Sequence, residues 1–120
     1  MIFIRNRQIK TLGVATREAF LLRMETHLRV NFVQTVKPLP KEALREIIES
    51  NWKCADGFGL KSELGVCTFL NAVFTLGETF PTAFPQFDEL LHSSRSERDK
   101  IKGIEAGVMS ILEAQAAEGR

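Results

Sequence analysis

Apolar and polar positions recur along this chain with helical spacing, and one stretch stands apart from the rest. Between Glu63 and Glu78 there is no charged residue. At about 100° per residue, the apolar side chains from Ala72 round to Cys67 sweep well over half of a helix circumference. A helix apolar on most sides is a buried one. Thr68, Asn71 and Thr75 gather on the remaining side, three and four residues apart, where two hydroxyls and an amide can find partners on a neighbour. The stretch is too short and too sparsely apolar to cross a bilayer. It predicts the central rod of a small helical domain.

The segments around it read as amphipathic. Residues 1–5 form a short extended lead-in, Asn6 is an N-cap, and Arg7 to about Phe32 makes a first long helix. Ile9, Leu12, Thr16, Phe20, Met24 and Leu28 run down its apolar face, widened by Ala19 and Val30 on one flank and by Val14, Leu21 and Phe32 on the other. Leu22 points away. His27 lies within this face, so both its ring nitrogens need partners. Lys37-Pro38-Leu39-Pro40 is a rigid connector, because each proline fixes its own φ and disfavours helix in the residue before it.

A second helix is expected from Pro40 or Lys41. Its apolar side carries Ala43, Leu44, Ile47, Ile48, Asn51, Trp52, Cys54 and Ala55, and its charged side lets Glu42 and Glu49 pair with Arg45 and Lys53. Asp56-Gly57-Phe58-Gly59-Leu60 stops it with a glycine in the left-handed conformation, Phe58 and Leu60 covering the turn. Ser62 caps the central helix and Gly77 ends it. Phe80, Phe84 and Phe87 then occur among prolines in a segment with one charge. They form either a lid that drops its rings onto the core or a set of rigid anchors for a partner.

A short helix from Pro85 and a last one capped by Ser94 or Ser96 complete the chain. In that last helix Ile101, Ile104, Val108, Ile111 and Leu112 form the core stripe, and Gly103 and Gly107, four apart, permit close approach of a neighbour. The expectation is an all-α, single-domain bundle of four to five helices around a buried central helix, spanning residues 1–120.

Composition adds constraints rather than a function. With 44% hydrophobic and 26% charged residues, the chain is far from the signature of disorder. A net charge of +1 argues against bulk neutralisation of nucleic acid or an anionic membrane. The charge is uneven, however: residues 1–40 carry +5 and the remainder −4. Either the basic first helix folds back on its acidic successors, or its exposed side, with Arg17 and Arg23, meets an acidic protein partner.

Candidate chemistry is sparse. Cys54 and Cys67 form no metal-binding pattern, and both fall on apolar faces, as small buried thiols of a reducing cytosol do. No secretory signal opens the chain, which points to a cytoplasmic protein. The turn at Gly57 and Gly59 is no phosphate loop, since no strand precedes it and no Gly-Lys-Ser/Thr follows. A DNA-recognition helix needs several base-reading side chains, and the central helix offers Asn71 alone. Cys67 with His27 or His92 makes no nucleophile–base motif, because a thiol in an apolar helix is held protonated. No catalytic residue, metal or cofactor is expected.

Phe58-Gly59-Leu60, Glu63, Val66-Cys67, Phe69-Leu70, Phe74, Gly77 and Phe80 resemble a family of short helical proteins encoded beside effectors and spike components of bacterial type VI secretion systems. Ile4-Arg5 with Gln8, and His27-Leu28-Arg29 followed by Phe32, look similar to that family's N-terminal helix. The chain departs from it at Gly65 and at Pro81, where the family often carries polar or acidic residues. The resemblance implies a non-catalytic module that holds or loads a secreted effector as adaptor or chaperone, or an immunity protein that blocks a cognate toxin. A small enzyme is the competitor from a different class. The residues expected to meet the protein partner are Arg17, Arg23, Phe80, Phe84 and Phe87, and self-association is compatible with such a surface.

Overall fold

The computed structural model describes residues 14–118, in which seven helices and no strand occur. They are α1 (Val14–Asn31), α2 (Val33–Val36), α3 (Lys41–Gly57), α4 (Glu63–Leu76), α5 (Phe80–Ala83), α6 (Pro85–His92) and α7 (Glu97–Glu118). Two of these, α2 and α5, are single turns, so five longer helices make an all-α bundle. The expected lead-in, the Asn6 cap and the first turns of the first helix lie outside the described residues.

The uncharged stretch becomes helical between two specified ends. The Ser62 side chain accepts from the Gly65 amide at 3.0 Å and opens α4. Gly77, at φ 104°, closes it in a conformation that a side chain would resist. Between them Val66, Phe69, Leu70, Ala72 and Val73 are buried against α1, α3, α5 and α7. Each of the large side chains contributes about 1.5–3 kcal/mol of gross burial free energy. Thr68 is also buried, and its hydroxyl donates to the Leu64 carbonyl one turn back at 2.8 Å, so its burial leaves no orphaned donor.

The turn before α4 is set by Gly59 at φ 86°, while Gly57 remains in the last turn of α3. The Leu60 amide donates to the Ala55 carbonyl at 2.9 Å and the Gly59 amide to the Asp56 carbonyl at 3.0 Å, which satisfies two otherwise free carbonyls at the helix end. Leu60 and Ala55 are both fully buried under the turn. The chain therefore reverses, and α3 runs antiparallel to α4.

Side-chain pairs give the remaining directions. Arg23 meets Glu63, His27 meets Asn71 and Phe32 meets Phe74, so α1 and α4 run in the same sense. Arg17 meets Glu49, while Arg45 meets Glu18 and Glu25, so α3 opposes α1.

Glycines let α7 approach α6 closely. A Cβ at Gly103 would lie 2.5 Å from Leu90, and one at Gly107 would lie 2.6 Å from the Phe87 ring. Ser96 caps α7 by accepting from the Asp99 amide at 3.2 Å. The Glu97 carboxylate reaches across to accept from the Ser62 amide and hydroxyl. Gly65 leaves room for this carboxylate, which a side chain at that position would displace.

Some expected faces are rotated. On α1, Phe20, Leu21, Met24 and Leu28 enter the core together with Glu25, whereas Ala19 and Val30 are exposed. Glu25 is drawn in because Arg45 from α3 donates to it at 2.8 Å. On α3 only Leu44, Ile48, Trp52 and Ala55 are buried; Ala43, Ile47 and Asn51 are half-buried and Cys54 is exposed. On α7 the stripe fades along the helix: Ile101 and Ile104 are buried, Val108 and Ile111 half-buried and Leu112 exposed.

Candidate functional site

The five residues singled out for a partner separate into three environments. Arg17 forms an ion pair with Glu49 and lies 5.9 Å above the Trp52 ring, which itself packs on Phe20 at 4.5 Å. Arg23 forms a two-pronged pair with Glu63, at 2.9 and 2.7 Å, and this carboxylate raises the pKa of its guanidinium. Both arginines keep part of their side chain in solvent, but their charges are directed at neighbouring helices. The uneven charge of the sequence is thus used for folding α1 back on α3 and α4. Expected pairs within α3 are replaced by these crossings, because Arg45 also leaves its own helix to hold Glu18 and Glu25. The hydrogen bond from Arg45 lowers the pKa of Glu18.

The phenylalanines form a continuous row. Phe58 lies 6.1 Å from Phe69, Phe69 5.1 Å from Phe80, Phe80 5.3 Å from Phe87, and Phe87 5.9 Å from Phe84. Phe80 and Phe87 are fully buried. A ring with no exposed surface cannot be an anchor for a partner, so both leave the set of expected contact residues; the segment acts as a lid on the core. Phe84 alone of the three stays half-exposed.

His27 finds the partners that its ring nitrogens need in two side-chain amides. Its Nε2 donates to the Asn71 Oδ1 at 2.6 Å, and its Nδ1 accepts from the Asn31 Nδ2 at 3.2 Å. That arrangement ties α1 to the polar edge of α4. A second polar crossing was not legible beforehand. Lys100 is buried, and its Nζ donates to the carbonyls of Phe58 at 2.8 Å and Leu91 at 3.1 Å, at the C-terminal ends of α3 and α6. A cation there meets the negative ends of two helices.

Both cysteines are free thiols. Desolvation raises the pKa of each, with Glu63 adding to the rise at Cys67, so both are protonated at neutral pH. Among the described residues no group of three or more His, Cys, Asp or Glu could hold a metal ion, and no helix is long and apolar enough to cross a membrane.

Apolar side chains also reach the surface of the described residues, on α7 and along α3 among other places. The distal half of α7 exposes Met109 and Leu112, at 58% and 38%, beside the half-buried Val108 and Ile111. Along α3 an open groove of about 510 Å³ is lined by Ala43, Glu46, Ile47, Ser50, Asn51 and Cys54, with Glu78 from the turn after α4. Sequence reasoning assigned Ala43, Ile47 and Cys54 to the core. No protein-family model, curated protein or solved structure matches this chain.

Proposed function

We propose that this chain is a non-catalytic protein-binding module that serves as adaptor or chaperone for a secreted bacterial effector. The observation that carries the reading is the pair of exposed apolar side chains on the distal half of α7, Met109 and Leu112. Met109 and Leu112, three residues apart, are exposed there, while Val108 and Ile111 beside them are half-buried against the core. Neighbouring exposed apolar residues on a rigid helix are what a helix-docking partner uses. The resemblance to proteins encoded beside type VI effectors supplies the kind of partner. An immunity protein would more often present a charged face complementary to its toxin. The candidate charges for that, Arg17 and Arg23, are each paired with a carboxylate of a neighbouring helix.

The test is co-expression with the products of adjacent genes, followed by co-purification and a toxin-protection assay. Met109→Asp with Leu112→Asp is expected to abolish capture of the effector while circular dichroism stays unchanged. A complex indifferent to that double substitution, or protection of cells without stable capture, would overturn the reading.

A further inference from the structure

The apolar side of α3 is wider than the core it meets. Leu44, Ile48, Trp52 and Ala55 are buried, but the flank formed by Ala43, Ile47 and Cys54 faces the open groove instead. The charged groups that frame that flank are all acidic. Glu46 and Glu78 are exposed, and neither takes part in an ion pair among the described residues, whereas Glu49 on the same helix is held by Arg17. Asn51 donates one Nδ2 hydrogen to the Ile47 carbonyl at 2.8 Å, which leaves its oxygen as an acceptor beside one remaining N–H. Lys41 and Lys53 are not among the lining residues. The groove thus offers two carboxylates, an amide and the Ser50 hydroxyl beside an apolar floor, and its lining residues include no cation.

We infer that this groove takes a short basic segment of a partner polypeptide, with an apolar side chain seated against Ala43 and Ile47 between cations that face Glu46 and Glu78. The inference rests on the protein-binding reading above and names the chemistry of what binds. Its volume falls within the range of preformed binding clefts. An opening along a single helix suits a laid-in peptide rather than an enclosed small molecule. Complementary charge at an exposed rim acts on the encounter rate and is screened at high salt, so binding should weaken as ionic strength rises.

Cys54 provides a reporter inside the groove. The probe is a fluorescein-labelled peptide of alternating lysine and leucine, compared with its glutamate–leucine counterpart, on the full chain. Site-resolved alkylation is read by mass spectrometry, with Cys67 as internal reference. The lysine peptide should slow alkylation of Cys54 and leave Cys67 unchanged, and the glutamate peptide should do neither. Glu46→Lys with Glu78→Lys should weaken peptide binding by about tenfold, equivalent to about 1.4 kcal/mol. Glu105→Lys with Glu113→Lys changes the net charge equally on exposed positions of α7, and should have little effect. Equal losses in the two double variants, or unchanged Cys54 reactivity with peptide bound, would overturn the inference. So would Cys54 protection that rises with protein concentration alone, since a second copy would then fill the groove. Effector capture through α7 without any peptide in the groove would sink this inference and leave the proposed function standing.

Discussion

Truncating Phe80 tests whether the proline-flanked segment is part of the core. Phe80 has no solvent-exposed surface, and rings press on it from two sides, Phe69 at 5.1 Å and Phe87 at 5.3 Å. The Phe80→Ala cavity cannot be filled by a shift of one neighbour, because Phe87 is itself pinned against Phe84 and the glycine face of α7. Removing a buried phenylalanine under such conditions costs about 3–5 kcal/mol. For a domain with total stability on the order of 5–15 kcal/mol, that is a large fraction. Phe84 is half-exposed with one ring neighbour, so Phe84→Ala should cost only about 1 kcal/mol, from the smaller area it hides. Urea unfolding followed by far-ultraviolet circular dichroism and by the fluorescence of Trp52, the one tryptophan, measures both. A loss below about 1 kcal/mol for Phe80→Ala, or equal losses for the two variants, would refute the packing argument.

Three further outcomes follow from other parts of the bundle. Gly57→Ala, which meets nothing within 4 Å, should stabilise by up to about 1 kcal/mol, whereas Gly107→Ala should destabilise by about 1–2 kcal/mol because overpacking against Phe87 outweighs the same helix-propensity gain; paired urea melts check the opposite signs. Lys100→Met should cost about 1–3 kcal/mol, because the carbonyls of Phe58 and Leu91 lose a charged donor, and hydrogen exchange should quicken at the ends of α3 and α6. Glu18 has its pKa depressed in the folded state by Arg45, so its stabilising contribution is present above the ordinary glutamate pKa and is lost as pH falls through the depressed value. Glu18→Gln should accordingly lower stability slightly at neutral pH and leave it unchanged below the depressed pKa, so that the acid limb of a stability–pH profile flattens.

What the sequence conveyed well were elements whose cause is local. Ser62 and Gly77 mark the ends of α4, Lys41 starts α3 after a proline, and the absence of charge between Glu63 and Glu78 is itself the reason for burial. Spacing also exposed the reason for Gly103 and Gly107, since only a closely approaching neighbour rewards two glycines on one side of a helix. The misplaced features depend on partners distant in the chain. Arg45 could pair with Glu42 or Glu49 at helical spacing, yet it crosses to Glu18 and Glu25 because packing brings those carboxylates onto the same side. Periodicity cannot distinguish two partners that are both within reach. Lys100 was similarly hidden, because its acceptors are the carbonyls of Phe58 and Leu91, and carbonyls carry no sequence signal.

The same limit explains why the candidate surfaces were misread in opposite directions. Phenylalanines among prolines look like anchors until the neighbours that cover them are known, and Phe69 and the α7 glycines cover Phe80 and Phe87. Ala43, Ile47 and Cys54 look like core until the neighbours prove insufficient to reach them. An amphipathic stripe reports how much apolar surface a helix offers; the rest of the fold decides how much of it is covered. In this chain the stripes of α3 and α7 both exceed what the bundle hides, and the excess lies on two separate faces. Recognition that uses either face leaves the buried α4 undisturbed, so substitutions at Glu46, Glu78, Met109 and Leu112 can separate binding from folding, whereas substitutions at Phe80 or Phe87 cannot.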